Sequence, residues 1–157
     1  MTKRVVYALV WLLLAGVIVY LADSAINPNK FAVLGEDRTV TLARGLDGHY
    51  RAEALINGHK VNVLVDTGAT GVAVSERVAN RLDLPRRGAV RTATANGDSV
   101  AYMTRLESVK LGGVEAHDVA ALIAPGLAGD VLLGMSFLSR MDVRLYQGTM
   151  TIKQVSE

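Results

Sequence analysis

The hydrophobic pattern of this chain changes character near residue 23. Val5 to Ala22 is an unbroken apolar run of about 18 residues, the lower end of what crosses a bilayer as a helix. The run has no polar face, and a domain this small could hardly bury it all round. Tyr7, Trp11 and Tyr20 stand near its ends, where amphipathic rings favour the membrane interface. Residues 24–38 lose apolar periodicity and carry Asn27-Pro28-Asn29-Lys30 and Gly35-Glu36-Asp37, the composition of a linker. Beyond it the period falls to two: Tyr50, Ala52, Ala54 and Ile56 share one face of a strand, and Val61, Val63 and Val65 share a face of the next. The pattern predicts three parts, an N-terminal transmembrane helix over 1–23, a linker over 24–38 and a mainly β domain over 39–157.

Turn residues divide that domain. Thr39–Ala43 and Tyr50–Ile56 are predicted strands, Asn57-Gly58 supplies the positive-φ pair of a two-residue hairpin, and Lys60–Val65 returns. Val72–Val74 is extended, and Ser75 caps a short helix over Glu76–Leu82 that stops before Pro85. Ala89–Ala95 and Ser99–Thr104 are expected to join at Asn96-Gly97, while Leu106–Leu111 and Val114–Ile123 flank Gly112-Gly113. A loop over 125–130 leads into the strand Val131–Leu133, then Gly134 and a second short helix over Met135–Met141. A hairpin turning at Gln147-Gly148 ends the domain. Short strands at hairpin spacing with two short helices predict one compact barrel or folded-over sheet. A core this small gains from burial between copies.

Charge and composition narrow the function classes. The net charge is +2 and the basic residues are scattered, with Arg86-Arg87 and Arg91 the densest group; that is a solvated face, and nucleic acid is not expected as a partner. His49, His59 and His117 lack metal-ligand spacing and lie beside turns, so no metal and no cofactor is expected. The absence of cysteine excludes a thiol nucleophile and fits any compartment. Lys3 and Arg4 precede the apolar run and Asp23 follows it, which places the N-terminus in the cytoplasm and the domain outside. A cleaved signal peptide is the alternative, because Ala22-Asp23-Ser24-Ala25 offers small residues where a signal peptidase reads. The length of the run favours a retained anchor.

The candidate chemistry sits in Asp66-Thr67-Gly68-Ala69, which follows the strand Val61–Val65 and occurs once. Asp-Thr-Gly alone is ordinary turn chemistry. Its setting singles it out: an apolar strand before it, small Ala69 in it, a glycine hairpin about 30 residues on, and Val131-Leu132-Leu133-Gly134 beyond that. In this order, over about residues 39–154, the chain resembles the retropepsin-like aspartic proteases. Leu132-Leu133-Gly134-Met135-Ser136-Phe137-Leu138, with the anchor, resembles in particular the bacterial membrane-anchored single-domain members. The resemblance implies a retropepsin-like acid-protease barrel of one lobe, with Asp66 as the catalytic carboxylate. Thr67, Gly68 and Ala69 would complete the active-site loop, with the Thr67 hydroxyl bonding across a two-fold axis and the Gly68 N–H donating to the carboxylate. A turn hydroxyl that satisfies only its own loop remains the plainer reading of Thr67. Thr94, Ala95, Asn96 and Gly97 would form a flap over substrate, although a simple surface hairpin has the same sequence. Leu132, Leu133 and Gly134 would support the site, Gly134 by letting backbone pack behind the Asp66 loop.

An aspartic protease needs two carboxylates, one to take a proton from water and one to donate. One copy of the motif per chain implies a homodimer, with Asp66 of the partner subunit as the second group. Asp130, as a second carboxylate within one chain, is the weaker reading, since Asp after Gly is a common turn element. The expected function is a membrane-anchored, homodimeric aspartic endopeptidase acting on extended polypeptides, anchored in the bacterial inner membrane with its catalytic domain periplasmic or extracytoplasmic. The alternatives are a non-catalytic module of the same fold that dimerises or binds peptides, and a β domain that tethers a partner. Two features depart from the viral enzymes. Met135-Ser136 stands in place of Arg-Asn or Arg-Asp, so the inter-subunit ion pairs of that arginine are not expected, and the chain ends do not supply interleaved terminal strands.

Overall fold

A computed structural model describes residues 3–26, 38–94 and 97–155. α1 (Lys3–Ile26) is a continuous helix of 24 residues with a mean hydropathy of 2.6, long and apolar enough to cross a membrane. At about 1.5 Å per residue it measures about 36 Å. It runs three residues past the expected boundary of residue 23. The first strong stop signal after the apolar run is Pro28, which disfavours helical backbone at the residue before it. The expected linker falls largely on 27–37, outside the described residues.

The other described elements are β1 (Thr39–Ala43), β2 (Tyr50–Ile56), β3 (His59–Val65), β4 (Val72–Ser75), α2 (Glu76–Arg81), β5 (Ala89–Thr94), β6 (Gly97–Leu111), β7 (Val114–Ala124), β8 (Val131–Leu133), α3 (Met135–Leu138), β9 (Met141–Tyr146) and β10 (Thr149–Gln154). Six strands close into a barrel in the order β2-β3-β8-β4-β7-β6, and the pairs Leu55↔Lys110 and Ile56↔Val109 between β2 and β6 complete the ring. β5 extends from β6 as the outer strand of a hairpin. β1, β10 and β9 form a separate antiparallel sheet of three strands. β3 and β8 run parallel, as do β4 and β7.

The period-two pattern explains which residues fill this barrel. Tyr50, Ala52, Ala54 and Ile56 on β2 and Val61, Val63 and Val65 on β3 are all buried, while Glu53 and Asn62 face solvent. Leu106, Ile123, Leu133 and Phe137 close the core from the other side, and Val40, Leu42, Met150 and Ile152 continue it under the three-stranded sheet. Burial of each such aliphatic side chain stabilises the fold by about 1.5–3 kcal/mol. The hairpins at Asn57-Gly58 (φ 49° and 80°) and Gln147-Gly148 (φ 45° and 79°) have positive φ at both central residues, as expected. Ser75 caps α2, its hydroxyl accepting from the Val78 N–H at 3.4 Å.

Three expectations are corrected. The segments Ser99–Thr104 and Leu106–Leu111 are one strand, β6, whose ladder with β7 runs from Tyr102↔Ile123 to Leu111↔Val114. Gly97 is not a turn residue: it stands opposite Thr94 in the β5–β6 ladder. The second helix ends at Leu138 instead of Met141. There the Ser139 hydroxyl and N–H both turn back to the Met135 carbonyl, at 2.6 and 3.0 Å, and Met141 is drawn into strand pairing opposite Gln154.

Candidate active site

Asp66 is the first residue past the end of β3. Val65 still pairs with Leu133 on the parallel strand β8, and the Asp66 N–H donates to the Leu133 carbonyl at 3.0 Å, so the sheet fixes the backbone from which the carboxylate projects. The side chain is half-buried, and its Oδ1 accepts the Gly68 N–H at 2.8 Å. A Cβ on Gly68 would lie 3.2 Å from that same oxygen, tighter than ordinary contact, which is the local reason for glycine there. Thr67 and Gly68 are exposed and Ala69 is half-buried.

The loop is held from behind by the turn into α3. The Met135 N–H donates to the Ala69 carbonyl at 2.8 Å and the Ser136 N–H to the Thr70 carbonyl at 3.1 Å. Gly134 permits this approach. A Cβ there would fall 2.3 Å from the Gly71 oxygen and 2.6 Å from the Ala69 oxygen, both backbone atoms that cannot swing away. Leu133 is fully buried in the core, while Leu132 is half-buried between Leu64 of β3 and Ala73 of β4. The Ser136 hydroxyl is a tie that sequence reasoning did not assign. It accepts the Val72 N–H and donates to the Ala120 carbonyl, each at 2.9 Å, joining the tail of the Asp66 loop to β7. The available signal was a lone hydroxyl inside the apolar run Val131–Leu138.

The predicted residues are not all brought together. Of the flap residues, Thr94 and Gly97 lie on the β5–β6 hairpin, and Ala95 and Asn96 lie outside the described residues. Asp130 is held elsewhere. It forms an ion pair with Arg77, and its Oδ2 accepts from the Asn62 backbone and side-chain nitrogens at 3.2 and 3.4 Å. Asn62 precedes Asp66 by four residues of strand, about 13 Å. Asp130 is therefore a structural ligand at the start of β8 and no partner for Asp66.

Two cavities lie near α3. One, of about 410 Å³, opens between the tail of the Asp66 loop and the base of the β5–β6 hairpin, lined by Gly71, Val72, Arg87, Met103, Leu122 and Ser136 among others. At its rim Arg105 hydrogen-bonds Asp118 and holds that carboxyl below the usual range, with the Arg105, Arg140 and Arg87 charges acting in the same direction. A larger one, of about 760 Å³, lies against Glu115, His117, Arg140 and Gln154 and includes no residue of the Asp66 loop. Among the described residues no cluster of three or more His, Asp or Glu side chains is placed to hold a metal ion.

The arrangement has relatives. A family model described as "gag-polyprotein putative aspartyl protease" matches residues 52–140. An uncharacterised Sinorhizobium protein encoded in the cobV 5' region is 32% identical over 108 residues, 66% of this chain and 46% of that protein. An uncharacterised protein of Rickettsia prowazekii (strain Madrid E) is 36% identical over 104 residues, 64% of this chain and 45% of that protein. The chain thus spans just under half the length of these two relatives. The crystal structure of a retropepsin-like aspartic protease from Rickettsia conorii matches with a TM-score of 0.64 at 30% identity, covering 74% of this chain and 90% of that one. With a family model matched over more than half of its length and this fold shared at 30% identity, the chain belongs to the retropepsin-like aspartic protease family.

Proposed function

We propose that this protein is an aspartic endopeptidase, active as a homodimer and anchored by α1, in which Asp66 and Asp66 of the partner subunit hydrolyse a peptide bond. The observation that carries the reading is Asp66 itself: a half-buried carboxylate at a strand end, oriented by the Gly68 N–H, in a loop braced by Gly134 and Ser136. Asp130, the other carboxylate weighed for the role, is committed to Arg77 and Asn62. A second copy then supplies the missing group.

Two carboxylates a few ångströms apart share one proton. The ionised member takes a proton from a water as its oxygen attacks the substrate carbonyl, and the protonated member gives its proton to the carbonyl oxygen. As the tetrahedral intermediate collapses and its C–N bond breaks, the leaving amine takes a proton from the protonated carboxyl while the other carboxylate takes one from a hydroxyl of the intermediate, so the dyad again holds a single proton. No metal or covalent enzyme intermediate takes part. The substrate lies extended beneath the β5–β6 hairpin, where Thr94, Ala95, Asn96 and Gly97 are the proposed flap, pairing by its backbone while alternate side chains enter pockets. Thr67 is assigned to bonding across the two-fold axis. The anchor places the N-terminus in the cytoplasm and the domain outside it, in a bacterium the periplasmic side of the inner membrane.

The test is cleavage of a mixed peptide library by the full chain in detergent micelles across pH, with Asp66→Asn beside the wild type. A shared-proton dyad gives a bell-shaped rate profile, and the amide variant falls to background. Cleavage that survives in Asp66→Asn removes Asp66 as the catalytic group, whereas a folded dimer that binds peptides and cuts none at any pH favours the non-catalytic peptide-binding module.

A further inference from the structure

The groove of about 410 Å³ beside the tail of the Asp66 loop is one-sided in charge. Val72, Met103, Ala120 and Leu122 give it an apolar wall, and Met103 is left 45% exposed. The charged residues that line it are both arginines, Arg87 and Arg105, and both are exposed. A third, Arg140, lies close by, its guanidinium donating to the His117 and Asp118 carbonyls at 2.6 and 3.2 Å. The Asp118 carboxylate hydrogen-bonds Arg105, and the Arg105, Arg140 and Arg87 charges all act on it. Three guanidiniums thus share one carboxylate, and the rim of the groove is positive. By contrast, the cavity of about 760 Å³ sets Glu115 among Arg38, His117 and Arg140. The groove is also held rigidly. The Arg87 N–H donates to the Met103 carbonyl and the Met103 N–H to the Gly88 carbonyl, each at 2.8 Å, while the Ser136 hydroxyl fixes Val72 to β7. Little ordering is then needed for a chain to bind there.

We propose that this groove is an exosite for an acidic flank of the polypeptide substrate: an apolar side chain enters beside Met103 and Leu122, and a carboxylate two residues along the same strand pairs with Arg105 and Arg87. This rests on the reading that Asp66 cleaves an extended polypeptide. Gly71 lines the groove and follows Asp66 by five residues, at most about 17 Å of chain. A substrate strand covers that distance in about five residues, and its residues two apart face the same way. The groove lies between the Asp66 loop and the base of the β5–β6 hairpin, so it continues the path of a peptide held beneath that hairpin. A guanidinium accepts a carboxylate by two parallel hydrogen bonds. Asp118 already uses Arg105 in this way within the chain and competes with the substrate for it. Removing the arginines and removing the Asp118 charge therefore act in opposite directions on the preference for acidic flanks.

The probes are two peptide libraries with blocked ends, an uncharged fluorophore and the same degenerate core, flanked at each end by Leu and, two residues farther out, by Glu in one library and Gln in the other. Cleavage by the full chain in nonionic detergent micelles is measured beside binding to Asp66→Asn by fluorescence anisotropy. The Glu library is expected to be cut and bound about fivefold better at low salt, the upper end for an exposed ion pair, with the ratio falling as salt is added. Arg87→Gln combined with Arg105→Gln should bring the ratio to about one, and Asp118→Asn should raise it about twofold. A ratio between libraries within one variant is insensitive to how much of that variant folds. Equal use of both libraries by the wild type, a ratio unchanged in the double arginine variant, or binding of neither library overturns the proposal. No Glu preference, together with phosphatidylglycerol binding that the double variant loses, would make the groove a lipid headgroup site and overturn it too. A Glu preference in binding with no cleavage would leave the groove standing and sink the protease reading, whereas cleavage without a flank preference would sink the groove alone.

Discussion

Gly134 and Ser136 set the Asp66 loop by contacts that leave no slack. Gly134→Ala drives a methyl group to within 2.6 Å of two backbone carbonyls. A loss of about 3 kcal/mol in stability by urea unfolding is expected, at the upper end for overpacking, together with loss of cleavage, because the loop must move to relieve the clash. Ser136→Ala leaves the Val72 N–H, on a fully buried residue, without its acceptor and should cost about 1–3 kcal/mol. Thr104 gives the opposite sign. It is 4% exposed and its Oγ1 has no hydrogen-bond partner, so Thr104→Val, which keeps the shape and removes the hydroxyl, should raise stability by about 1 kcal/mol in the same assay. Asp66, Gly68 and Gly134 were legible in the sequence because each belongs to a short ordered motif. Ser136 was not, because its role depends on β4 and β7 lying beside α3, and the chain brings Val72 and Ala120 to it from 64 and 16 residues away.

At the scale of elements, the pattern located nearly every strand and missed where neighbours override local signals. The hairpins at Asn57-Gly58 and Gln147-Gly148 were legible because only a positive-φ pair satisfies them. Met135–Met141 looked helical throughout, yet the β10 edge captures Met141, a long-range pairing that no local window contains. Asn96-Gly97 resembles the other turns, but the ladder sets Gly97 opposite Thr94, within the strand pairing. β7 holds a similar exception in Asp118, whose φ of 51° is unusual for a strand residue. Its carboxyl is held below the ordinary value of 3.8 first by the Arg105 hydrogen bond. A lowered carboxyl contributes stability above its unfolded value and loses it as pH falls through the folded one. Asp118→Asn tolerates the same φ and removes the charge. It should therefore lower the urea midpoint slightly at pH 6.5, by an amount that shrinks as the pH is taken down through the carboxyl range; a loss that does not shrink would assign the effect to backbone or packing, not to the ion pair.

For the whole molecule, the anchor and the dimer are coupled in the proposed function. A chain with one Asp66 is inactive until it meets another, and α1 confines that search to a plane. For the full chain reconstituted into liposomes, activity should then depend on molecules per unit of membrane area, independent of concentration in the bulk. Adding empty lipid that fuses with the proteoliposomes, at constant bulk protein, dilutes the chains in the plane. Once pairing is incomplete, specific activity should fall in proportion to surface density, and activity per unit area with its square, because monomers contribute nothing. Adding the same lipid as separate vesicles should leave activity unchanged. If α1 were instead removed as a signal sequence, the released domains would pair in solution, and activity would follow bulk concentration whichever way the lipid was added. The comparison thus reads anchoring and dimerisation in one experiment, because only a retained helix and an obligatory pair together make catalysis sensitive to membrane area.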